Sequence, residues 1–485
     1  MTDGPASVDG ELMARDKAHG PEQLSRRSLL GRSMAVGGTL AVGSLYGGAA
    51  TSALAQTRSG SGWGPPLPTS GNPAATAEQR DLEALAIQLL SAGPVVQAKQ
   101  AVANRWRTIV GPANITAEAQ ARFNELVDEF TFHYVLLACA SDPSYPHVLG
   151  SLFSPPHQWF GMSVPGSRSG GAENPDNYYA VIPVQYGTAY EIRGRRFQPT
   201  PADKPLSVSG NPSLTMTLGT IDMNQLDLDL GGSFRITVSP DPANGDPNHV
   251  QTFPEAMYLF LRYSRSDWRQ VPDALQVRRT DGPTAEQWTE DQIAARAAAI
   301  LPEDVPAMFW FNSIFAALPP NFTSPPANTG GVGGLPTQST SFARLQLADD
   351  EAFIVTVGPG GAAYRSLVLY DFWLRSIEYW QRLTSFNNAQ SAPNPDGKLT
   401  YVVSKQDPGV ANWLDTTGLQ QPRIIQRWQR VNPSGPDGPP SITGKLVKLA
   451  DLAANLPAGV PTVTPSERQQ QLDRRAAEFA PRFQT

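Results

Sequence analysis

Cysteine is nearly absent from this chain: Cys139 is the one cysteine among 485 residues. A disulfide needs two cysteines, so none can form within the chain. Cys139 lies in the apolar run 135–140, which favours a small buried side chain over a reactive nucleophile. We therefore expect neither a disulfide framework nor cysteine catalysis.

Basic clusters and metal-binding motifs are missing as well. The net charge is −6 and the arginines are scattered, which argues against nucleic acid as a partner. Residues 227–231 loosely resemble the start of a calcium loop, but Val238 stands at the twelfth position, where an acid is needed. The sequence therefore indicates no metal and no cofactor. Nor is there a recognised zinc spacing among the histidines beyond residue 55, which are His133, His147, His157 and His249.

The N-terminal segment carries a targeting pattern. Arg26 and Arg27 precede a weakly apolar, glycine-rich stretch, 33–50, and the small-residue sequence 53–55. This order predicts a twin-arginine export signal that is cleaved after Ala55. Its glycines dilute the stretch too far for a confident transmembrane helix, although retention as an uncleaved anchor stays open. The partners would be the twin-arginine translocase and signal peptidase, and the location periplasmic, cell-envelope or extracellular.

Residue patterns divide the rest of the chain into helical and β-rich stretches. Apolar residues recur at helical spacing after residue 75, and short β-branched and aromatic runs follow residue 145. The segment 364–384 fits a helix or strands, and we favour strands. The predicted organisation is a signal (1–55), a linker (56–74), a helical segment (75–145), a first β module (146–280), a helical connector (281–318), a flexible loop (319–340), a second β module (341–435) and a helical tail (436–485), with helices at 445–456 and 466–483.

An internal repeat links the two β-rich stretches. Residues 232–239 align with 397–404, and both runs are followed by an Asp-Pro turn, an asparagine-containing loop and an Arg-aromatic-x-Arg motif. The arginines that open this motif, Arg262 and Arg427, are 165 residues apart. The shared order indicates two copies of one unit.

Strand alternation indicates how each copy folds. In residues 234–238, Phe, Ile and Val alternate with Arg and Thr, as in an antiparallel strand with one buried face. Two such sheets must each hide one face. We therefore predict the α+β class: a helical N-terminal segment plus two related antiparallel β-sandwich or jelly-roll-like modules.

The second copy resembles a bacterial family called domain of unknown function 1214. The resemblance is carried by residues 384–390, 395–397, 407–418 and 427–428, and more faintly by 174–179, 190–196 and 232–239 in the first copy. It implies β-sandwich modules in exported or envelope-associated proteins, and it implies no settled activity. A helical segment stands where many relatives carry a further domain.

The repeat and its polar residues suggest a ligand site. Arginine offers a planar fork of donors for carboxylate or phosphate, and aromatic rings offer faces on which sugars stack. The same residues could equally be framework. The candidate ligand-binding residues are Asn174, Asp176, Asn177, Tyr178, Arg193, Arg262, Asn387, Gln390, Asp407, Asn412, Trp413, Asp415 and Arg427.

Three function classes remain open from the sequence. The leading hypothesis is a protein that binds a small molecule or glycan in a cleft between the two modules. The alternative is a metal-independent hydrolase or lyase acting on an envelope or extracellular substrate. No catalytic residues are identified for it, since residues 161–165 do not complete a G-x-S-x-G motif. A scaffold would instead show a large apolar surface patch. The sequence does not fix the oligomeric state.

Overall fold

A computed structural model describes residues 63–282, 285–330 and 335–485. The predicted export signal, its cleavage site and residues 56–62 of the linker lie outside the described residues. The rest of the linker, residues 63–74, forms no helix or strand. The Trp63 ring lies 4.6 Å from the guanidinium groups of both Arg193 and Arg278, which ties this segment to the protein surface.

A helical layer, residues 77–139, precedes the sheets, and further helices follow later in the chain. Its first helix begins where the Thr76 side chain accepts the backbone N–H of Gln79, and it buries Leu82, Leu85 and Leu89 at helical spacing. Among the residues described, none of the helices combines the length and apolar character needed to cross a bilayer. The helices are α1 (Ala77–Leu89), α2 (Gly93–Val110), α3 (Ala117–Ala121), α4 (Phe123–Cys139), α5 (Glu290–Glu303), α6 (Val305–Ala316), α7 (Leu452–Asn455) and α8 (Pro465–Phe479).

A short hairpin and a first pair of sheets follow the helical layer. The two sheets have strand orders β3-β9-β5-β6 and β10-β4-β7-β8, and all pairings are antiparallel except β7 with β8. We call strands β3 to β10 the first sheet pair. The strands are β1 (His157–Trp159), β2 (Met162–Val164), β3 (Asn177–Pro183), β4 (Tyr190–Arg195), β5 (Pro205–Ser209), β6 (Thr217–Asp222), β7 (Ser233–Ser239), β8 (His249–Gln251), β9 (Tyr258–Ser264) and β10 (Ala274–Arg279).

A second pair of sheets has the strand orders β13-β19-β15-β16 and β18-β17-β14-β20, with β11 and β12 beside β13. Here too the pairings are antiparallel except one, β17 with β18. We call strands β13 to β20 the second sheet pair. The strands are β11 (Phe322–Thr323), β12 (Ala327–Asn328), β13 (Gln338–Arg344), β14 (Glu351–Gly358), β15 (Tyr364–Tyr370), β16 (Ser385–Asn387), β17 (Leu399–Ser404), β18 (Trp413–Asp415), β19 (Arg423–Gln429) and β20 (Ser441–Lys448).

Each sheet pair encloses its own core. Alternation along β7 buries Phe234, Ile236 and Val238 and leaves the residues between them more exposed, as the sequence predicts. Strands β9 and β19 are instead buried on both faces. One face of each packs inside its own pair, and the other faces the helices and the opposite pair. The protein is therefore an α+β fold with antiparallel and mixed sheets.

The helical tail predicted for 436–485 is wrong in its first part. Residues 441–448 form strand β20, which pairs with β14 along its whole length, from Glu351↔Lys448 to Gly358↔Ser441. The apolar spacing of 445–456 suits a helix locally, but pairing with a buried neighbour outweighs that preference. The predicted loop 319–340 also contains the short strands β11 and β12. Within 364–384, residues 364–370 are strand β15, as we favoured.

Buried ion pairs join the helical layer to the second sheet pair. Glu129 of α4 accepts hydrogen bonds from Arg168 Nε at 2.8 Å and from Arg375 Nη1 at 3.0 Å. Arg375 also donates to Asp371 Oδ2 at 2.9 Å, and all four side chains are buried. Each charge therefore has an opposite charge beside it, which is the arrangement that makes burial tolerable.

Helix α8 straps the C-terminus onto the second sheet pair. Arg468 forms two hydrogen bonds with the Asp407 carboxylate, at 2.8 and 3.0 Å, and also donates to the carbonyls of Val410 and Ala411. Two turns later, Arg475 donates to the Tyr379 carbonyl and to Ser385 Oγ. The helix is therefore held by arginines on one face.

Replacement of Arg468 tests this strap. We expect Arg468→Ala to lower the free energy of unfolding by about 2–4 kcal/mol, because a carboxylate and two carbonyls lose their donors. Arg474→Ala removes an exposed arginine from the same helix and should change stability by less than about 0.5 kcal/mol. Chemical denaturation measures both variants. Equal effects would contradict a specific role for Arg468.

A buried carboxyl in the helical layer gives the fold a pH dependence. Glu83 of α1 is 1 % exposed, and its Oε1 accepts a hydrogen bond from Gln79 while Oε2 has no partner. Burial raises the pKa of Glu83 to about 7. As the pH rises above about 4.5, the unfolded chain ionises first, so this group lowers stability until the folded form ionises too.

Glu83→Gln should remove that dependence. Near pH 4 the wild type and the variant should unfold with similar free energies, since Glu83 is then neutral in both states. By pH 8 the variant should be more stable by about 3 kcal/mol, which corresponds to the shift at about 1.4 kcal/mol per pKa unit. Denaturation between pH 4 and 8 measures this, with the exposed Glu286→Gln as the control. A constant difference across that range would exclude Glu83 as the source.

Candidate functional site

A cavity lies between the two sheet pairs, and its volume is about 150 Å³. Strands β3 and β9 line it from the first pair, strands β13 and β19 from the second, and α6 closes another side. Much of its wall is aromatic: Phe153 and Tyr179 have ring centroids 4.9 Å apart, and Tyr179 stacks on Phe260 at 5.7 Å. The cavity therefore combines an apolar wall with a few polar groups.

Two arginines of the repeat line this cavity from opposite sheet pairs. Arg427 of β19 is buried, and it donates from Nη1 to the Tyr370 hydroxyl at 2.8 Å and from Nη2 to the Ala172 carbonyl at 2.7 Å. These bonds fix its guanidinium to the protein. Arg427 is therefore largely committed to structure.

Arg262 of β9 is also buried but forms one hydrogen bond, against two for Arg427. Its Nη2 donates to Ser207 Oγ at 3.3 Å, its Nε has no partner, and its guanidinium lies 4.8 Å from the centre of the Phe260 ring. Within the described chain, no carboxylate lies within ion-pair distance of it. Burial lowers the pKa of Arg262 to about 10, so the group is still a cation at neutral pH.

Glu173 supplies the carboxyl group of the cavity wall. Its Oε1 accepts hydrogen bonds from the backbone and the hydroxyl of Ser376, whereas its Oε2 has no partner. Burial raises the pKa of Glu173 above its ordinary value, opposed mainly by the charge of Arg168. The group is therefore inclined to hold its proton.

Asn177 and Gln338 occupy matching places in β3 and β13, opposite Ser264 and Gln429 respectively. Gln338 is engaged, since its Nε2 donates to Thr340 Oγ1 at 2.9 Å and its Oε1 accepts from Gln429. Asn177 Oδ1 is buried without a partner. As with the two arginines, the side chain from the first sheet pair has fewer hydrogen bonds than its counterpart in the second.

Beside the cavity, three of the predicted residues meet in one buried cluster. Asp176 Oδ1 accepts from Trp268 Nε1 at 2.6 Å and from Asn387 Nδ2 at 3.1 Å, and its Oδ2 accepts from the Tyr364 hydroxyl at 2.8 Å. That hydroxyl in turn accepts from Asn174 Nδ2 at 2.6 Å. Burial raises the pKa of Asp176, and these hydrogen bonds oppose the rise. The cluster ties the two sheet pairs together.

Other predicted residues flank this cluster. Gln390 Oε1 accepts the backbone N–H of Asn387, and the Tyr178 ring lies 5.9 Å from that of Tyr263. They border the cluster and do not line the cavity.

The remaining predicted residues lie in structural contacts away from the cavity. Arg193 donates to Gln276 on the outer sheet of the first pair, and Asp407 holds Arg468. Asn412 bonds backbone groups of Ala392 and Thr400, Trp413 Nε1 donates to the Ser404 carbonyl, and Asp415 accepts from Arg382. For Asp407 and Asn412, which recur in the repeat as Asp241 and Asn248, the recurrence reflects loop framework.

Several cavity residues escaped the sequence analysis. Phe260 stands two residues before Arg262, so strand periodicity places both on one face and could have identified it. Glu173 directly precedes the predicted run 174–179. Met308 and Phe311 of α6 line the cavity too, but nothing in their local sequence indicates which strands they face.

The described residues hold no group of three or more His, Cys, Asp or Glu side chains placed to bind a metal ion. His133 is packed in the core, with Nδ1 3.1 Å from the Ser167 carbonyl, and burial lowers its pKa to about 3. Cys139 is buried, and burial raises the pKa of its thiol. Neither side chain is presented as a ligand or nucleophile.

Comparisons with known proteins bear on the fold. No protein-family model matches the chain, and no curated protein matches it. The chain is similar to the solved structure of an uncharacterised protein from Burkholderia cenocepacia, with 24 % identity and a TM-score of 0.60, over 75 % of this chain and 99 % of the other. A protein from Vibrio parahaemolyticus aligns with 10 % identity and a TM-score of 0.36, over 76 % and 100 %. The first likeness shows a shared fold.

Asp176→Asn tests the cluster between the sheet pairs. An amide keeps one acceptor oxygen but presents an NH₂ group to buried donors, so at least one donor loses its partner. We expect the free energy of unfolding to fall by about 2–4 kcal/mol. Asp128→Asn, at an exposed position of α4, should change it by less than about 0.5 kcal/mol in the same denaturation experiment. If Asp176→Asn left the free energy of unfolding unchanged, the cluster would not need the carboxylate.

Proposed function

We propose that the protein binds one small, largely apolar organic molecule in the cavity between its two sheet pairs. The observation that carries this proposal is the cavity itself, with its aromatic wall and a few convergent polar groups. Ligand sites in proteins commonly have this composition and lie between structural units.

The size of the cavity limits the ligand. Drug-sized ligands occupy pockets of about 300–1,000 Å³, whereas an engineered apolar cavity of about 150 Å³ binds benzene. At about 150 Å³, this cavity suits a single ring or a short branched chain. A sugar would bring several hydroxyls to a wall whose surface is mainly apolar although it includes polar side chains, so we favour a small apolar body over a glycan.

We also propose that the two sheet pairs descend from one duplicated unit. The strand orders match when each strand of the first sheet pair is compared with the strand numbered ten higher in the second, for example β9 with β19. The parallel pairings, β7 with β8 and β17 with β18, also correspond. Strands β9 and β19 keep the 165-residue offset seen in the sequence. Membership of the family called domain of unknown function 1214, and export by the twin-arginine translocase, remain proposals that rest on the sequence.

A hydrolase or lyase is the second candidate, and Glu173 favours it. A carboxyl with a raised pKa and an unpartnered oxygen at a cavity wall is the kind of group that transfers protons in enzymes. Chemical change of a bound probe, followed by chromatography, would favour this candidate, and Glu173→Gln should then abolish the change. Binding without chemical change would favour the first candidate.

Filling the cavity tests the binding proposal. Ile314 lines it from α6, and Ile314→Trp should remove most of its free volume. Calorimetry of the purified protein with phenol, indole, benzyl alcohol, benzoate, glucose and N-acetylglucosamine should detect binding of single-ring compounds in the wild type. The variant should lose at least about tenfold in affinity.

Val96→Trp adds the same bulk at an exposed site on α2, and it should bind as the wild type does. If no single-ring compound binds the wild type, or if Ile314→Trp binds as well as Val96→Trp, the cavity is not the site. Preferential binding of the sugars would return the glycan hypothesis to first place.

A further inference from the structure

In the part of the chain that the structure describes, the charge of Arg262 is not paired with a carboxylate, although Asp203 acts on it from a longer distance. Two other buried guanidinium groups, those of Arg168 and Arg375, both bond the Glu129 carboxylate. Arg262 is only 8 % exposed, and its one hydrogen bond in the described structure is long and goes to a hydroxyl. A buried cation with so few acceptors is unfavourable unless another group supplies them.

Arg427, the equivalent arginine, has hydrogen-bond acceptors for its guanidinium at this position. Arg427 has the Tyr370 hydroxyl and the Ala172 carbonyl as acceptors, at 2.8 and 2.7 Å. Among the described residues, the Arg262 guanidinium forms no hydrogen bond to a tyrosine hydroxyl or a backbone carbonyl, and its one partner is Ser207 Oγ. Two sites that share a strand position thus differ in one respect: the first still has donor capacity, and it lines the cavity.

The acceptor that would satisfy Arg262 is an anionic oxygen group on the ligand. A guanidinium matches a carboxylate in geometry, and in a dry site the charge-assisted bonds between them are stronger than neutral ones. A carboxylate on one ring is more compact than a phosphate on the same ring and so suits a volume of about 150 Å³ better. We propose that the cavity ligand is a small carboxylic acid with a single-ring or comparably compact apolar body, whose carboxylate is bound by Arg262.

Two other charged groups of the cavity wall bear on this assignment. Arg427 adds positive charge on the opposite side and so favours an anion. Glu173 would repel a carboxylate if it were ionised, but burial raises its pKa, and the neutral acid can donate a hydrogen bond instead. With two guanidinium groups against one carboxyl, the wall carries a net positive charge whichever form Glu173 takes. This inference rests on the proposed function, because it specifies the ligand of the same site.

Matched pairs of acids and amides test it. Each pair has one shape and differs in charge: benzoate and benzamide, phenylacetate and phenylacetamide, cyclohexanecarboxylate and cyclohexanecarboxamide. Calorimetry at pH 7 with the wild-type protein should show at least one acid binding about 10- to 100-fold more tightly than its amide. Arg262→Gln should remove that preference while leaving the affinity for the amide within about threefold.

Arg193→Gln is the matched control, since it removes an arginine that lies outside the cavity, and it should preserve the preference for the acid. Arg262→Lys keeps the charge without the planar fork and should retain part of the preference, which gives a second readout if Arg262→Gln does not fold.

The possible outcomes distinguish failure of the carboxylate assignment from failure of the proposed ligand binding in the cavity. If amides bind as tightly as acids, or if acids keep their advantage in Arg262→Gln, the carboxylate assignment is wrong although the cavity is still a binding site. If no acid or amide binds the wild type although phenol or indole does, the assignment fails and the proposed function stands; if none of these compounds binds, both fail.

Discussion

The hydrogen bonds of one buried carboxylate hold the two halves of the fold in register. Asp176 belongs to the loop that enters the first sheet pair, yet it accepts from Tyr364 and Asn387 of the second and from Trp268 of the segment between β9 and β10. Because these donors converge on one group, the inner sheets are held at a fixed separation. The cavity next to the cluster exists only at that separation, so the candidate site depends on a contact that does not itself line it.

A second buried network sets the position of the helical layer. Glu129 bonds Arg168 and Arg375, and Arg375 bonds Asp371 in the segment after β15. Arg168 also donates to the Ser376 carbonyl, so the same segment is held twice. That segment bonds Glu173 through Ser376. The carboxyl of the cavity wall is therefore oriented by the contacts that dock the helices, which couples the shape of the site to the packing of the whole chain.

The sequence predicted the local structure better than the site. Helices and strands have short residue periods that can be recognised in the sequence. Alignment of the two β-rich stretches at an offset of 165 residues then makes Arg262 and Arg427 equivalent. The strand β20 was missed because its conformation is decided by β14, about ninety residues earlier. For the site, period and spacing identified Arg262, Arg427, Asn174 and Asn177 but could not separate them from framework residues such as Asn412. That distinction depends on which acceptors the second sheet pair brings near, and such contacts have no local signature.

The chain position of β20 has a consequence for the order in which the protein folds during synthesis. The first sheet pair is closed by β10, which ends at Arg279, so it can assemble while the rest of the chain is still being made. In the second, β14 likewise keeps an open edge beside β17 until β20 is complete at residue 448, as β4 does in the first until β10 is made. For some ninety residues of elongation that edge is a template for pairing with other chains. A chaperone that covers β14 over this interval would protect the nascent protein from such pairing.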